Sequence, residues 1–366
     1  MKKSLKKNRL LLFLLVIVLA FAMIAVGCGG GGTPATSGTP TASDDNGDLG
    51  PAVNMSLGHL FPTTDYRART MQQFADLCEE YSGGNITITI YPAQTLVTSQ
   101  DALKLTAQGV ADIGMGALSF SVSEVPAFAP IDLQGIYDPE NFWEAFELVK
   151  PTLNKILETQ NQMCLFMMDE TNFVFYLNDK NSRDVHSPAD VKGLRLRDSG
   201  LWIGKSMMTW GVSPQTVVPA DIAVALERGT VDGGYTGWGF VNSYKLFESA
   251  KTVTYTEISK NVWSPVAINL DRWNSLSAGQ QAIILRAAAE AQEYNKVLVE
   301  EDWEIFQANL ESVGGTIYYM THEENQAFIS LSMQLLEECR EYSGELGNEM
   351  IDALLSTPSR FDRGVN

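Results

Sequence analysis

Residues 53–91 read VNMSLGHLFPTTDYRARTMQQFADLCEEYSGGNITITIY, and this stretch predicts a strand, a helix and a second strand in that order. In its middle, Met71, Phe74, Ala75 and Cys78 recur at the spacing of one helix face, which predicts a helix over 64–82. At its end, isoleucine and threonine alternate with the period of a strand. A strand, a helix and a strand in succession are the unit from which parallel sheets are built.

The alternation of strands and helices continues along the chain. Further strands are predicted near 111–115, 163–168, 172–178, 194–197, 214–218, 231–235, 251–255 and 262–269. Further helices are predicted near 99–108, 140–160, 200–210 and 219–228. This pattern indicates an α/β fold with helices on both faces of largely parallel sheets. About 315 residues follow the N-terminal segments, which exceeds the usual size of a single core and predicts two lobes.

A long helix is predicted after a capping box at Ser277–Gln280, and Gly314 and Gly315 end it. At 1.5 Å per residue this helix spans roughly 50 Å, which is longer than either lobe. We therefore expect it to bridge both lobes. A second capping box at Thr321–Glu324 predicts another helix, extending to about residue 356.

The N-terminal 27 residues have the pattern of an export signal. Lys2, Lys3, Lys6, Lys7 and Arg9 precede an apolar run from 10 to 26, and small residues lead to Cys28. This pattern resembles the lipobox of bacterial lipoproteins and predicts a lipid on Cys28, although Ala25 stands where those proteins prefer leucine. A plain N-terminal anchor helix is the alternative. Residues 28–51 are rich in Gly, Ser, Thr and Pro, which predicts a flexible linker.

The charge of the chain excludes nucleic acid as a partner. Without residues 1–27, 21 Lys and Arg remain against 44 Asp and Glu, a net charge of −23. Binding to phosphate backbones or to anionic lipid needs the opposite sign. The remaining cysteines, Cys78, Cys164 and Cys339, show no disulfide or metal spacing.

The sequence shows no catalytic signature, and we predict no enzyme, no cofactor and no metal site. Phosphate loops, nucleophile elbows and paired Cys-x-x-Cys motifs are absent from it. The three histidines, His59, His186 and His322, form no recognisable acid–base set.

Several ordered motifs carry a family resemblance. The central one is SPADVKGLRLR at 187–197, followed by PQTVVP at 214–219 and ALERGTVDG at 225–233. YPAQTL at 91–96 and GVADI at 109–113 come before it, and WNSL at 273–276 comes after. Together these segments resemble the substrate-binding proteins of TRAP transporters, the DctP-type family, over about residues 53–350.

The resemblance implies a two-lobed, periplasmic-binding-protein-like architecture with a long C-terminal helix spanning both lobes. It implies an extracytoplasmic receptor that captures a small organic acid and delivers it to integral membrane permease subunits. From it we expect a first lobe of 52–175 plus 263–300 and a second lobe of 176–262 plus 301–358. The alternatives are the binding lipoprotein of an ABC importer, a ligand sensor and, from another class, an extracytoplasmic enzyme.

The anchoring arginine of the family falls on Arg197. A guanidinium offers a planar fork that can hold a carboxylate through two charge-assisted hydrogen bonds. Two alternatives remain open: Arg197 pairs with Asp198 or another carboxylate of its lobe, or Arg195 is the anchor. A second arginine, which the resemblance associates with more highly charged acids, would fall near Val174. One cation therefore favours a monocarboxylate.

Other candidate residues are expected around this anchor. Thr236 stands where the resemblance implies an asparagine, and several aromatic residues close to the expected cleft favour a ligand with an apolar or aromatic part. Loops after the first and third strands of the first lobe are expected to contribute as well. The substrate-binding candidates are Arg197, Thr236, Tyr235, His59, Phe61, Trp202, Trp238, Trp263, Ser119 and Val174.

Overall fold

A computed structural model describes residues 49–365 with the exception of residue 261. The predicted signal peptide, Cys28 and all but the last residues of the predicted linker lie outside the described residues. In the part that is described, no helix has both the length and the apolar character needed to cross a membrane.

The described chain contains two sheets. The first has the order β2-β1-β3-β10-β4, and the second has the order β11-β9-β5-β8-β6-β7. Strands of the first sheet are β1 (Val53–Gly58), β2 (Ile86–Tyr91), β3 (Ile113–Met115), β4 (Gln162–Met167) and β10 (Pro265–Asn269). Strands of the second are β5 (Asn172–Leu177), β6 (Arg195–Arg197), β7 (Ser213–Gln215), β8 (Gly233–Gly237), β9 (Thr252–Lys260) and β11 (Thr316–Tyr319).

Helices cover these sheets. They are α1 (Tyr66–Ser82), α2 (Ala102–Ala107), α3 (Phe142–Thr159), α4 (Pro188–Val191), α5 (Leu201–Thr209), α6 (Ile222–Glu227), α7 (Trp238–Ser243), α8 (Leu270–Asn274), α9 (Ala278–Ser312), α10 (His322–Ser332) and α11 (Leu336–Ser356). The parallel pairing of β1 with both β2 and β3 confirms the β-α-β-α-β opening. The α/β class and the two-lobed architecture are as predicted. The sheets are mixed rather than largely parallel, because β5 and β10 each pair antiparallel with both of their neighbours.

Helix α1 shows how local sequence sets an element that positions the site. The Asp65 carboxylate accepts a hydrogen bond from the backbone N–H of Arg67 at 2.7 Å, which caps the helix start. Gly83 ends the helix in the left-handed region, at φ 59°, where a side chain would be strained. This capping places Arg67 in the first turn of the helix.

Two of the routes by which the chain passes between the sheets are adjacent. Strand β4 of the first sheet leads into β5 of the second through residues 168–171, and β9 of the second sheet, which ends at Lys260, is followed in the chain by β10 of the first. The two routes run antiparallel, because β4 pairs with β10 and β5 pairs with β9. The Met168 N–H donates to the Ser264 carbonyl between them at 3.3 Å. Since all of β5 belongs to the second sheet, the sheets separate before residue 172, earlier than the expected lobe boundary at 175.

The long helix α9 is unbroken over 35 residues and begins at the predicted capping box on Ser277. It packs against α1 on the first lobe and against α7 on the second, so it spans both lobes as predicted.

The prediction of a single helix from 321 to about 356 is wrong. The chain forms α10, a 3₁₀ turn at Met333–Leu335 and then α11. Helix α11 itself contains a non-helical residue, Gly344, at φ 68°.

Candidate functional site

A small enclosed cavity of about 30 Å³ lies where the ends of strands from both sheets meet. The first lobe supplies Phe61, from the loop after β1, and Arg67. The second lobe supplies Arg197 at the end of β6, Thr236 on β8 and Phe240 on α7. With Phe120, Ser199 and Ser264, which also line it, the cavity combines two guanidinium groups, three hydroxyls and three aromatic rings, contributed by both lobes.

A larger, more open cavity of about 490 Å³ adjoins this one. Four residues line both cavities: Phe120, Arg197, Ser199 and Pro219. Arg197 therefore stands where the enclosed cavity joins the open one.

Arg197 is almost fully buried, with 3% of its surface exposed. Its Nη1 donates to Ser199 Oγ at 2.7 Å, and its Nε makes a long hydrogen bond of 3.4 Å to the Val217 carbonyl. The Phe240 ring lies below the guanidinium carbon, 5.2 Å from it. Burial lowers the pKa of Arg197 from its usual value, which nearby Tyr176, Asp198 and Tyr244 only partly oppose.

No carboxylate among the described residues lies within ion-pair distance of Arg197. The Asp198 alternative is thus not realised in this structure. A buried cation without an anion is costly, and it attracts an anionic ligand to the cavity. Arg197 remains a proposed ligand anchor, and its geometry suits that role.

Arg195 has a different environment. Its Nε and Nη2 hold both oxygens of the Asp232 carboxylate at 3.1 and 2.7 Å, and its side chain is 47% exposed. Because its guanidinium already forms this bidentate pair outside both cavities, the geometry favours Arg197 over Arg195 as the anchor.

Arg67 is a second buried arginine in the cavity wall, and the sequence analysis did not single it out. Its Nε and Nη2 donate to the Asp65 carboxylate at 3.0 and 2.9 Å, and its Nη1 donates to Glu170 Oε2 at 3.2 Å. The Phe61 ring stacks 3.6 Å from its guanidinium carbon. Although burial opposes it, the negative charges of Asp65 and Glu170 raise the pKa of Arg67.

Three of the other predicted site residues lie at the cavities. Phe61 and Thr236 line the enclosed cavity, and Ser119 lines the open one. The Ser199 hydroxyl donates to Thr236 Oγ1 at 3.1 Å, which links Thr236 to Arg197. Ser119 donates to the buried carboxylate of Asp132 at 2.6 Å. These three residues are thus brought together around Arg197.

The remaining aromatic candidates are buried in the core and line neither cavity. Tyr235 stacks on Phe173 with ring centroids 4.4 Å apart. Trp238 packs against two aromatic residues of α9. Trp263 donates to the Tyr137 hydroxyl at 3.0 Å, and Trp202 packs on Tyr342 with centroids 5.5 Å apart.

Val174 is buried, lies outside both cavities and pairs in register with Thr236 across the strands β5 and β8. Opposite residues of an antiparallel pair share one face of the sheet. The position where a second arginine would be expected is therefore on the same side as Thr236, and it is apolar here.

His59 is buried away from the two cavities, in the wall of a separate surface cleft. Its Nδ1 accepts a hydrogen bond from the Phe61 N–H at 3.2 Å, which shapes the loop that carries Phe61. Burial lowers the pKa of His59 to about 4, so the ring is neutral at pH 7.

Metal-binding and thiol chemistry find no support in the described part of the chain. No group of three or more His, Cys, Asp or Glu is arranged there to hold a metal ion. Cys78, Cys164 and Cys339 are buried and free, and burial raises the pKa of each thiol to about 12.

Sequence reasoning missed Arg67, Ser199 and Phe240. The available signal for Arg67 was its position: it follows the Phe61 loop and lies two residues after a capping aspartate. The signal for Ser199 was its place two residues beyond Arg197 at the end of a strand.

Comparison with known proteins agrees with this geometry. The family model DctP, described as bacterial extracellular solute-binding protein, family 7, matches residues 57–342. Among curated proteins, the C4-dicarboxylate-binding periplasmic protein DctP of Rhodobacter capsulatus is 22% identical over 84% of this chain and 91% of its own length. The 2,3-diketo-L-gulonate-binding periplasmic protein YiaO of Escherichia coli is 25% identical over 69% of this chain and 76% of its own length.

Among solved structures, the Bordetella pertussis extracytoplasmic solute receptor DctP6, which binds pyroglutamic acid, superposes with a TM-score of 0.76. It is 23% identical to this chain, and the match covers 83% of this chain and all of the receptor. This similarity shows a shared fold.

Proposed function

The chain belongs to the bacterial extracellular solute-binding proteins of family 7, and on that basis we propose that its ligand is a small monocarboxylate held by Arg197. Members of this family are extracytoplasmic receptors of TRAP transporters that bind small organic acids, work with membrane permease subunits and are not an enzyme class. The family match favours this role over the ABC-importer alternative.

The environment of Arg197 carries the proposal. The guanidinium is buried, donates to one hydroxyl and one carbonyl, and has no carboxylate partner among the residues that the structure describes. A ligand carboxylate would supply the missing negative charge and accept charge-assisted hydrogen bonds. Because the Arg197 guanidinium is buried, such a pair is stronger than it would be in bulk water.

Two features support a monocarboxylate with an apolar or aromatic part. Val174, where a second arginine would be expected, is apolar and faces the same side of the sheet as Thr236. Phe61, Phe120 and Phe240 supply aromatic surface at the cavity. The Bordetella receptor with this fold binds pyroglutamic acid, which has one carboxylate and a ring.

We propose that closure of the two lobes traps the ligand. The cavity is lined by residues of both lobes, and the two sheets are joined in the chain by the short segment 168–171, by the segment between β9 and β10, and by helix α9. A ligand that contacts both lobes would shift the population toward the closed form. We also propose that Cys28 carries the lipid that holds the receptor at the membrane.

A thermal-shift screen of the purified full chain in detergent tests the proposal. We expect stabilisation of about 2.7 kcal/mol at a hundredfold excess of ligand over its dissociation constant. A monocarboxylate with a ring or branched chain should give this shift, and its primary amide should not. Arg197→Ala should abolish the shift. A shift that survives in this variant refutes Arg197 as the anchor, and a shift with neutral solutes alone refutes the carboxylate class.

A further inference from the structure

The donor groups of Arg67 are not all used. A guanidinium has five N–H groups. Those on Nε, Nη1 and Nη2 that bind Asp65 and Glu170 account for three of them. One N–H on each terminal nitrogen has no described acceptor within the protein. Arg67 also lines the enclosed cavity, opposite the lobe that carries Arg197.

The charge of Arg67, in contrast, is already neutralised. Asp65 and Glu170 both form ion pairs with it, at 2.9 and 3.2 Å, and all three side chains are buried. A second ligand carboxylate here would bring a third negative charge against one cation in a buried setting, which is strongly unfavourable. An uncharged oxygen would accept from the free N–H groups without adding charge.

The Arg67 guanidinium is also held rigidly. Asp65, at the start of the same helix, and Glu170, in the segment between β4 and β5, both accept hydrogen bonds from it, and the Phe61 ring covers one face at 3.6 Å. A donor held this firmly loses little freedom when it binds a ligand, which favours specific recognition.

We propose that Arg67 is a second ligand-binding residue, which donates hydrogen bonds to an uncharged oxygen acceptor on the ligand. This inference rests on the proposed function, because Arg197 takes the carboxylate. The ligand class then becomes a monocarboxylate that carries an oxo, hydroxyl or amide oxygen as well. Its carboxylate is bound by the second lobe and its neutral oxygen by the first, so one molecule bridges the two lobes.

Matched acids test the inference on the full chain in detergent by isothermal titration calorimetry. Each pair differs only by a carbonyl in place of a methylene: 3-oxocyclopentanecarboxylate with cyclopentanecarboxylate, 4-methyl-2-oxopentanoate with 4-methylpentanoate, and 4-oxopentanoate with pentanoate. In at least one pair we expect the oxo acid to bind about tenfold or more tightly, the worth of one hydrogen bond to a charged group. Succinate should bind more weakly than that oxo acid.

Two variants assign the preference to Arg67. Arg67→Lys keeps the charge between Asp65 and Glu170 and loses the planar fork, so the ratio of the affinities for the oxo acid and the plain acid should fall below about threefold. Arg69→Lys is the matched control on the same helix. Arg69 pairs with Asp302 at 2.6 Å and lines neither of the two cavities at Arg197, so the preference should be unchanged.

The outcomes separate the two proposals. Equal binding of both members in every pair by the wild-type chain overturns the role of Arg67 and leaves the Arg197 anchor standing. An oxo preference that persists in Arg67→Lys also overturns it. Failure of every acid to bind refutes the proposed function, and the inference falls with it. Should Arg67→Lys not fold, equal binding of both members of every pair by the wild-type chain still overturns the role of Arg67.

Discussion

Replacing Arg197 by methionine should make the ligand-free receptor more stable and unable to bind its ligand. Methionine has a similar length and no charge, and it can fill the space between Ser199 and Phe240. Burying one ion costs several kcal/mol even after the protein relaxes. This cost has no described carboxylate to offset it at Arg197.

The hydrogen bonds lost with Arg197 are few. Ser199 keeps its own O–H, which has the acceptors Thr236 Oγ1 at 3.1 Å and the Tyr235 carbonyl at 3.4 Å within reach, and the Val217 carbonyl loses only a long contact. The substitution removes the desolvation cost of the buried charge, which stabilises the protein. It also removes hydrogen bonds to a charged donor, and each of these contributes about 1.5–3 kcal/mol. We therefore expect a net gain of about 2 kcal/mol in the free energy of unfolding.

Equilibrium unfolding in urea, with and without a ligand found by screening, measures both effects. Arg195→Met is the matched control. It breaks the exposed ion pair with Asp232, so stability should not rise and ligand binding should stay intact. If the ligand-free Arg197→Met protein is no more stable than the wild type, then the Arg197 guanidinium is not an uncompensated charge, and the main support for the anchor is lost.

Three further changes have defined outcomes. Burial raises the pKa of Asp132 to about 7, so the native state holds this proton more tightly than the unfolded state, and stability is lost as pH rises from about 4 through 7. The Asp132→Asn variant can still accept the hydrogen bond from Ser119. It should be more stable than the wild type by up to about 4 kcal/mol at pH 8 and equally stable near pH 4. Urea unfolding at pH 4 and pH 8 checks this, and a stability difference that does not depend on pH would contradict it. Tyr235→Phe loses the hydrogen bond to Gln134 Oε1 at 3.2 Å and should cost about 1 kcal/mol of stability without changing ligand affinity by calorimetry, whereas a loss of affinity would place Tyr235 in the site. A Cβ at Gly200 would lie 2.9 Å from Ser119 Cβ on the opposite lobe, so Gly200→Ala should hinder closure and weaken ligand binding about tenfold, and unchanged affinity would argue against this contact.

Much of the fold followed from periodicity and capping. The strand at 86–91 has the bounds predicted from its alternating isoleucines, and helix α9 begins at the predicted capping box. Strand β11 was missed because its four residues are at the edge of a sheet and are partly exposed, so they show no apolar pattern. The break at Gly344 was missed because the apolar spacing continues on both sides of it.

The site was less predictable, because the pocket depends on which face of a strand each residue occupies. Tyr235 and Thr236 are neighbours on β8, and successive side chains of a strand point to opposite faces. Thr236 therefore reaches the cavity while Tyr235 packs into the core. The sequence alone made both residues candidates for the site. Arg67 was missed for a similar reason: its position after the Phe61 loop and the capping aspartate does not show whether its side chain points to the cavity or to solvent.

Because the chain enters and leaves the second sheet at neighbouring positions, most of the second sheet comes from one continuous segment of the chain. Strands β5 to β9 form one continuous segment, 172–260, and of the strands described elsewhere in the chain only β11 joins their sheet. Both ends of the segment lie side by side, since Asn172 pairs with Lys260. A relative's segment could be transplanted at these two adjacent junctions without cutting the first sheet. Such chimeras would exchange Arg197 and Thr236 while keeping Phe61 and Arg67, so the contributions that we propose for the two lobes in ligand binding could be exchanged separately.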